Sequence, residues 1–264
     1  MRMNSPFDAA DEILLTRPPI VRALVQLQFA PVLSIVEDSY VAPFQERMRP
    51  IYPLTTKAHA VQLLLGPEGV AQQAGEQLWR LSSSDGWSLT LAPGFLSVDT
   101  TSYTDRRDLV ERVRAALVAL SSLVGPSTPW LRLGVRYVNR LDDDEYDDLE
   151  TYVSPDALGA RALAIPEGVS LVHSLSETQF DTGSSTGLTV RWGVLPAGVS
   201  VTPDVAPATT ASWVLDIDSF SLGRGEFVDA DDIAARTRLH CDATYRAFRW
   251  AVLPALLTAR GGHQ

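Results

Sequence analysis

The same order of elements is read twice along this chain: a strand, a helix, a set of hairpin-linked strands, and a long helix. The first run opens at 20–29, where Val21, Ala23, Val25, Leu27 and Phe29 alternate with Arg22, Gln26 and Gln28 as a half-buried strand requires. Pro18 and Pro19 precede it and Pro31 follows. Residues 34–49 predict a helix, with Ser34 as N-cap and Glu37 completing a capping box. Ile35, Tyr40, Phe44 and Met48 give it an apolar face, and Pro43 predicts a kink or a start later than Ser34. Short strands follow at 60–65, 77–82, 87–91 and 95–101, broken at Gly66-Pro67, Asp85-Gly86 and Pro93-Gly94. A helix at 105–123 carries Leu109, Val113, Leu117 and Leu120 at helical spacing and ends at Gly125-Pro126.

The second run begins with a strand at 130–141. An acidic loop, a short helix near 156–164 and strands at 170–181, 188–195 and 212–220 follow, with a turn at 223–225. A helix from 230 to about 258 closes it. Asp229 is its N-cap, Asp231 and Asp232 suit its dipole, and Pro254 bends its last turns. The halves 1–126 and 127–264 share an order of elements rather than a sequence. The expected fold is α+β: two strand–helix–strands–helix halves in one compact unit, forming a curved antiparallel sheet with helices packed on one face. Saddle-like and helix-grip folds share this topology, an analogy that carries no function.

A chain of 264 residues can bury a core without metal or disulfide. Cys241 is its one cysteine, which excludes an internal disulfide and agrees with a reducing compartment. The first dozen residues lack a signal-peptide pattern, and no apolar stretch is long enough to span a bilayer. The reading is a cytoplasmic protein with no membrane association. A net charge of −10 argues against nucleic acid. Lys57 is the only lysine; the remaining cations are arginines, which a GC-rich genome would supply in any case and which also suit fixed, partly buried pairing.

Two strands carry the candidate chemistry. Strand alternation puts Arg132, Gly134, Arg136 and Val138 on one face, opposite Leu133, Val135 and Tyr137, with Asn139 two residues beyond Tyr137. Gly134 leaves room between the two arginines. Asp216 and Asp218 likewise share a face opposite Trp213, Leu215 and Ile217. Arg132, Arg136, Asp216 and Asp218, with Tyr137 and Asn139 as further ligand- or network-forming candidates, would line a polar pocket, or they would form an ion-pair lattice that fixes strand register. Among the histidines, His59 and His263 read as exposed and His173 as a core or rim residue. His240, beside Cys241 on the last helix, reads as structural or as an addition to the Arg and Asp group. Cys241 reads as a small core hydrophobe. No metal, cofactor, nucleophile-elbow or phosphate-loop spacing is present, so no metal and no cofactor is expected. Trp79, Trp87, Trp192 and Trp213 on strands read as core in preference to base-stacking platforms.

Residues 142–150 hold seven carboxylates in nine positions, including Asp142, Asp143, Asp144, Glu145, Asp147 and Asp148. They lack the spacing of a calcium loop and read as a solvated loop that can dock a basic partner.

Several stretches together resemble one family. They are Arg17-Pro18-Pro19-Ile20-Val21, Tyr103, and Arg132 to Asn139 set against an Arg-Ile-Gly-Leu-Arg-Tyr-Ile-Asn pattern. Leu215 to Asp218, and Leu239-His240 with Phe248, complete the set. The chain is similar to a sporadically distributed family of uncharacterised bacterial proteins of about this length. That resemblance implies a bacterial cytoplasmic protein with no assigned activity, cofactor or partner. Its patchy distribution suits genes carried with defence or toxin–antitoxin modules. The family often has a Trp–Glu pair where this chain has Asp105 and Arg106. The expected function is a non-enzymatic interaction protein that binds a basic protein partner in such a module. The alternative is a small-ligand or enzymatic pocket lined by Arg132, Arg136, Asp216 and Asp218.

Overall fold

The computed structural model describes residues 5–66 and 69–263, with the side chains of 60–75 and 263 left aside. The first half holds β1 (Leu14–Leu15), β2 (Ile20–Phe29), a 3-10 turn (Leu33–Val36), α1 (Asp38–Met48), β3 (Leu54–Gly66), β4 (Gly69–Ser82), β5 (Trp87–Ala92), β6 (Phe95–Thr100) and α2 (Arg106–Val124). The second holds β7 (Trp130–Asp142), the short helices α3 (Asp144–Asp147), α4 (Leu149–Tyr152) and α5 (Pro155–Leu158), then β8 (Ser174–Gly183), β9 (Thr186–Leu195) and β10 (Ser212–Leu222). It ends with α6 (Ala230–Ala251), α7 (Pro254–Ala259) and β11 (Gly262–His263). No described helix is long and apolar enough to cross a membrane.

Nine strands form one open, curved sheet in the order β3-β4-β5-β6-β2-β7-β10-β9-β8, every neighbour antiparallel. In each half the last strand of the hairpin run returns to pair with the first: β6 lies against β2 and β10 against β7. The halves meet where β2 pairs with β7. This is the α+β arrangement that the alternation predicted.

The core follows from that alternation. Val25 and Leu27 of β2, Leu133 and Val135 of β7, and Leu89 and Leu91 of β5 are buried with Leu109, Val113 and Leu117 of α2. Trp213, Leu215 and Ile217 of β10 are buried in a second cluster with Phe248 and Ala251 of α6. Each long helix starts on an aspartate cap. Asp105 accepts the amide N–H of Arg107 and Asp108, and Asp229 accepts that of Asp232. β1 and β11 pair in a separate ladder, which draws the chain ahead of β2 across to the segment after α7.

Several boundaries differ from expectation. Ser34 does not cap α1. Residues 33–36 make a 3-10 turn around buried Ile35, whose carbonyl accepts Trp79 Nε1–H at 2.6 Å, and extended Glu37 precedes the helix. The helix therefore starts late, with Pro43 inside it. β3 and β4 run longer than expected, because a backbone ladder, irregular only between His59 and Val61, holds this edge hairpin where no apolar alternation marks it. Exposed Thr55, Thr56 and Lys57 lie in that extension. β8 starts at Ser174, so His173 lies outside it and is exposed. The expected final helix is two, because Val252 and Leu253 are extended and Pro254 takes the first position of α7. The acidic stretch is not a loop: α3 and α4 form across it, anchored by buried Leu149.

Candidate functional site

On the face of the sheet away from the helices, charges meet as pairs. β7 and β10 place Arg136 opposite Asp218, and the side chain reaches diagonally to Asp216. Arg136 Nε and Nη2 each donate to Asp216 at 2.7 Å, a bidentate contact. Arg191 of β9 adds a third donor to Asp216 at 3.3 Å and also binds Glu177 of β8. Arg132 donates to Asp218 at 2.6 Å, lies 4.8 Å over the Phe220 ring, and folds across Gly134 where a Cβ would stand. In the other half, Asp99 receives Arg22 at 2.9 Å, with Arg80 at 4.0 Å. Burial lifts the Asp99 and Asp218 carboxyls above the usual range despite these neighbours. The Asp216 side chain is only 1% exposed. The space beside Arg136 is about 10 Å³, too small for a ligand. Arg132, Arg136, Asp216 and Asp218 thus share a surface, and each finds its partner within the group.

Tyr137, Asn139 and His240 lie on the opposite, helix-covered face. There a cavity of about 90 Å³ opens at the seam between the two core clusters. Ile20, Tyr137, Asn139 and Ile217 form its floor and Cys241, Thr244 and Phe248 of α6 one wall, with Tyr103 opposite. Residues 11–20 cross over it as a strap. The strap is clipped to α6: Ile13 N–H donates to Tyr245 Oη at 2.8 Å, and Arg249 donates to the Asp11 carbonyl at 2.8 Å. At the rim Arg106 pairs with Glu12 of the strap and Asp242 of α6.

Glu12, Asp105 and Arg106 bring charge to the lining, while its buried polar groups, Tyr137, Asn139 and Cys241, are uncharged. Tyr103 stands edge-on to Tyr137 at 5.3 Å, and Tyr137 O–H donates to Cys241 Sγ at 3.4 Å. Burial pushes both tyrosine hydroxyls well up and the Cys241 thiol to about 11, so all three keep their protons at neutral pH. Asn139 Nδ2 donates to the Leu215 carbonyl at 3.2 Å. The charge-based reading passed over this site, since Ile13, Tyr103, Tyr137 and Thr244 come from four separate segments. Pro18, Pro19, Ile20, Tyr103, Tyr137, Asn139 and Phe248 all line it, and no local spacing in the sequence joins them all.

His240 does not join the Arg and Asp group. It is buried between two serines of β10, with Ser219 Oγ 2.8 Å from Nδ1 and Ser221 Oγ 3.1 Å from Nε2. Burial, helped by the Arg132 and Arg236 charges, depresses its pKa to about 4, so the ring is neutral at pH 7. In the acidic segment Asp142 pairs with Arg140, Glu145 pairs with Arg260, and Asp143 accepts from Thr210. Asp144, Asp147, Asp148 and Glu150 are exposed and make no ion pair with any described residue. Among the described residues no three His, Cys, Asp or Glu side chains gather as metal ligands would. The chain matches no family model and no curated protein.

Proposed function

We propose that this is a binding protein whose cavity beneath the strap accepts a compact, mostly apolar molecule carrying one hydrogen-bonding group. The observation that carries the reading is the cavity itself: about 90 Å³, mostly apolar walls, Tyr103, Tyr137 and Cys241 as neutral groups, and charge confined to Glu12, Asp105 and Arg106. Binding is favoured over catalysis because both acids of the lining are engaged, Glu12 with Arg106 and Asp105 with the first amides of α2, and among the described residues no base faces the Cys241 thiol. The test is titration with phenol, followed by NMR of the Tyr103 and Tyr137 rings. Saturable shifts that disappear in Thr244→Leu, which fills the cavity, support the reading. No saturable shift at millimolar phenol contradicts it.

A second reading keeps the expected role as an interaction protein in the cytoplasm. It is favoured by the ridge of exposed, unpaired Asp144, Asp147, Asp148 and Glu150 on α3 and α4, which suits a basic protein partner. Salt-sensitive binding of a polylysine peptide, lost in the triple variant D144N/D147N/D148N, supports it. Binding unchanged by those substitutions removes it.

A further inference from the structure

We propose that a second cavity, on the other flank of α6, binds a small monocarboxylate with an apolar tail, with Arg246 as the carboxylate anchor. This cavity is a half-open cleft of about 230 Å³ between α6 and the β8–β9 hairpin. The two cavities divide the helix between them: Cys241, Thr244 and Phe248 face the first, while Leu239, His240, Ala243 and Arg246 face the second.

Arg246 sets the ligand's charge. It is half-buried at the cavity wall and makes no hydrogen bond, ion pair or ring contact with any described residue. Acids outnumber cations in this chain by 32 to 22, and Arg22, Arg106, Arg112, Arg132, Arg136 and Arg191 are all paired. An unpaired guanidinium at a cavity is therefore not for want of acids in the chain. Its planar fork matches a carboxylate in two parallel hydrogen bonds.

The rest of the wall sets the ligand's body. Leu188 and Ala243 line the cavity. Phe7 and Leu239 stand at its rim 47% and 66% exposed, apolar surface that a ligand tail would cover. Thr182 hydrogen-bonds Thr186 at 2.6 Å and can turn toward a bound oxygen. Ser219 and His240 close the floor as a neutral pair. That pair is read as part of the wall and not as a hydrolytic dyad, because Ser221, not a carboxylate, supports the far nitrogen of His240.

The experiment titrates the folded chain with hexanoate and follows backbone amide shifts by NMR. Hexanamide and inorganic phosphate serve as parallel probes, and Arg246→Gln and Arg246→Lys as variants. The expected result is saturable hexanoate shifts at Phe7, Thr182, Leu239 and Ala243. Binding weakens about tenfold or more in R246Q or with hexanamide, and less in R246K. Hexanamide on the unmodified chain keeps the test valid should a variant fold poorly. The proposal is overturned if hexanoate gives no saturable shift, or binds R246Q as well as the unmodified chain. It is overturned equally if phosphate binds as tightly as hexanoate, or if the shifts fall on Tyr103, Tyr137 and Thr244. Failure of phenol to bind the first cavity leaves this outcome untouched, since the two sites share only α6 and its neighbours.

Discussion

The two faces of the sheet divide charge from space. The open face carries Arg22, Arg132, Arg136, Arg191, Asp99, Asp216 and Asp218, and these charges pair among themselves with almost no room between them. The covered face carries fewer charges, and the two cavities described above lie there, on either flank of α6. Charged side chains across neighbouring strands can reach each other, so they saturate. Two core clusters that meet along a seam under one helix fill it less completely. Conspicuous charge in a sequence therefore marks where this sheet is held in register, and the room for a ligand lies behind it.

That contrast is sharpened first at Asp216. Asp216→Ala leaves the partly exposed Arg136 guanidinium without its acid, while Arg191 keeps Glu177, at a cost of about 3 kcal/mol, the low end for a broken buried pair. Urea unfolding measures it, and phenol binding on the other face is expected to persist. A loss below about 1 kcal/mol would show that the open face does not hold the sheet.

His240 comes next. Its folded pKa, about 4, lies below the ordinary 6.5, so the unfolded chain takes up the proton first as pH falls. Its contribution to stability is therefore full above pH 6.5, declines as pH falls toward 4, and changes no further below that, by about 3 kcal/mol in all. Stability against pH for His240→Gln, subtracted from that of the unmodified chain, isolates the slope. Parallel curves would mean that the ring is not held neutral.

Thr244→Leu adds apolar volume where there is space for it, so stability is expected to stay within about 1 kcal/mol while phenol binding is lost. Calorimetric melting and the phenol titration separate the two effects. The smallest change is expected for Asp218→Asn. Its pair with Arg132 is about a quarter exposed on both sides, and losing it costs up to about 1 kcal/mol in the same urea assay. A loss equal to that of Asp216→Ala would erase the distinction between a buried and a half-open pair.

The sheet was legible because alternation and Gly or Pro breaks report it locally. Val25, Leu27, Val135 and Leu215 are buried where their spacing put them. Gly134, read as room between two arginines, does lie under Arg132. The start of α1 was legible only in part: Pro43 allowed a start later than Ser34, but Ser34 and Glu37 have capping-box spacing while Ile35 and Trp79 draw that turn into another shape. The Arg and Asp strands were legible as faces, but alternation says nothing of whether such charges satisfy one another. The first cavity was least legible of all, since no local spacing links Ile13, Tyr103, Tyr137 and Thr244. Tyr137 and Asn139 were picked out, though with the wrong company: they share a strand with Arg136 and point to the other side.

The most direct test is a crystal of this protein soaked in phenol and hexanoate together. Density for both is expected on the helix-covered face, phenol against Tyr103, Tyr137 and Thr244 and hexanoate against Arg246. Density lodged instead among Arg132, Arg136, Asp216 and Asp218, with their ion pairs opened to admit it, would contradict the account.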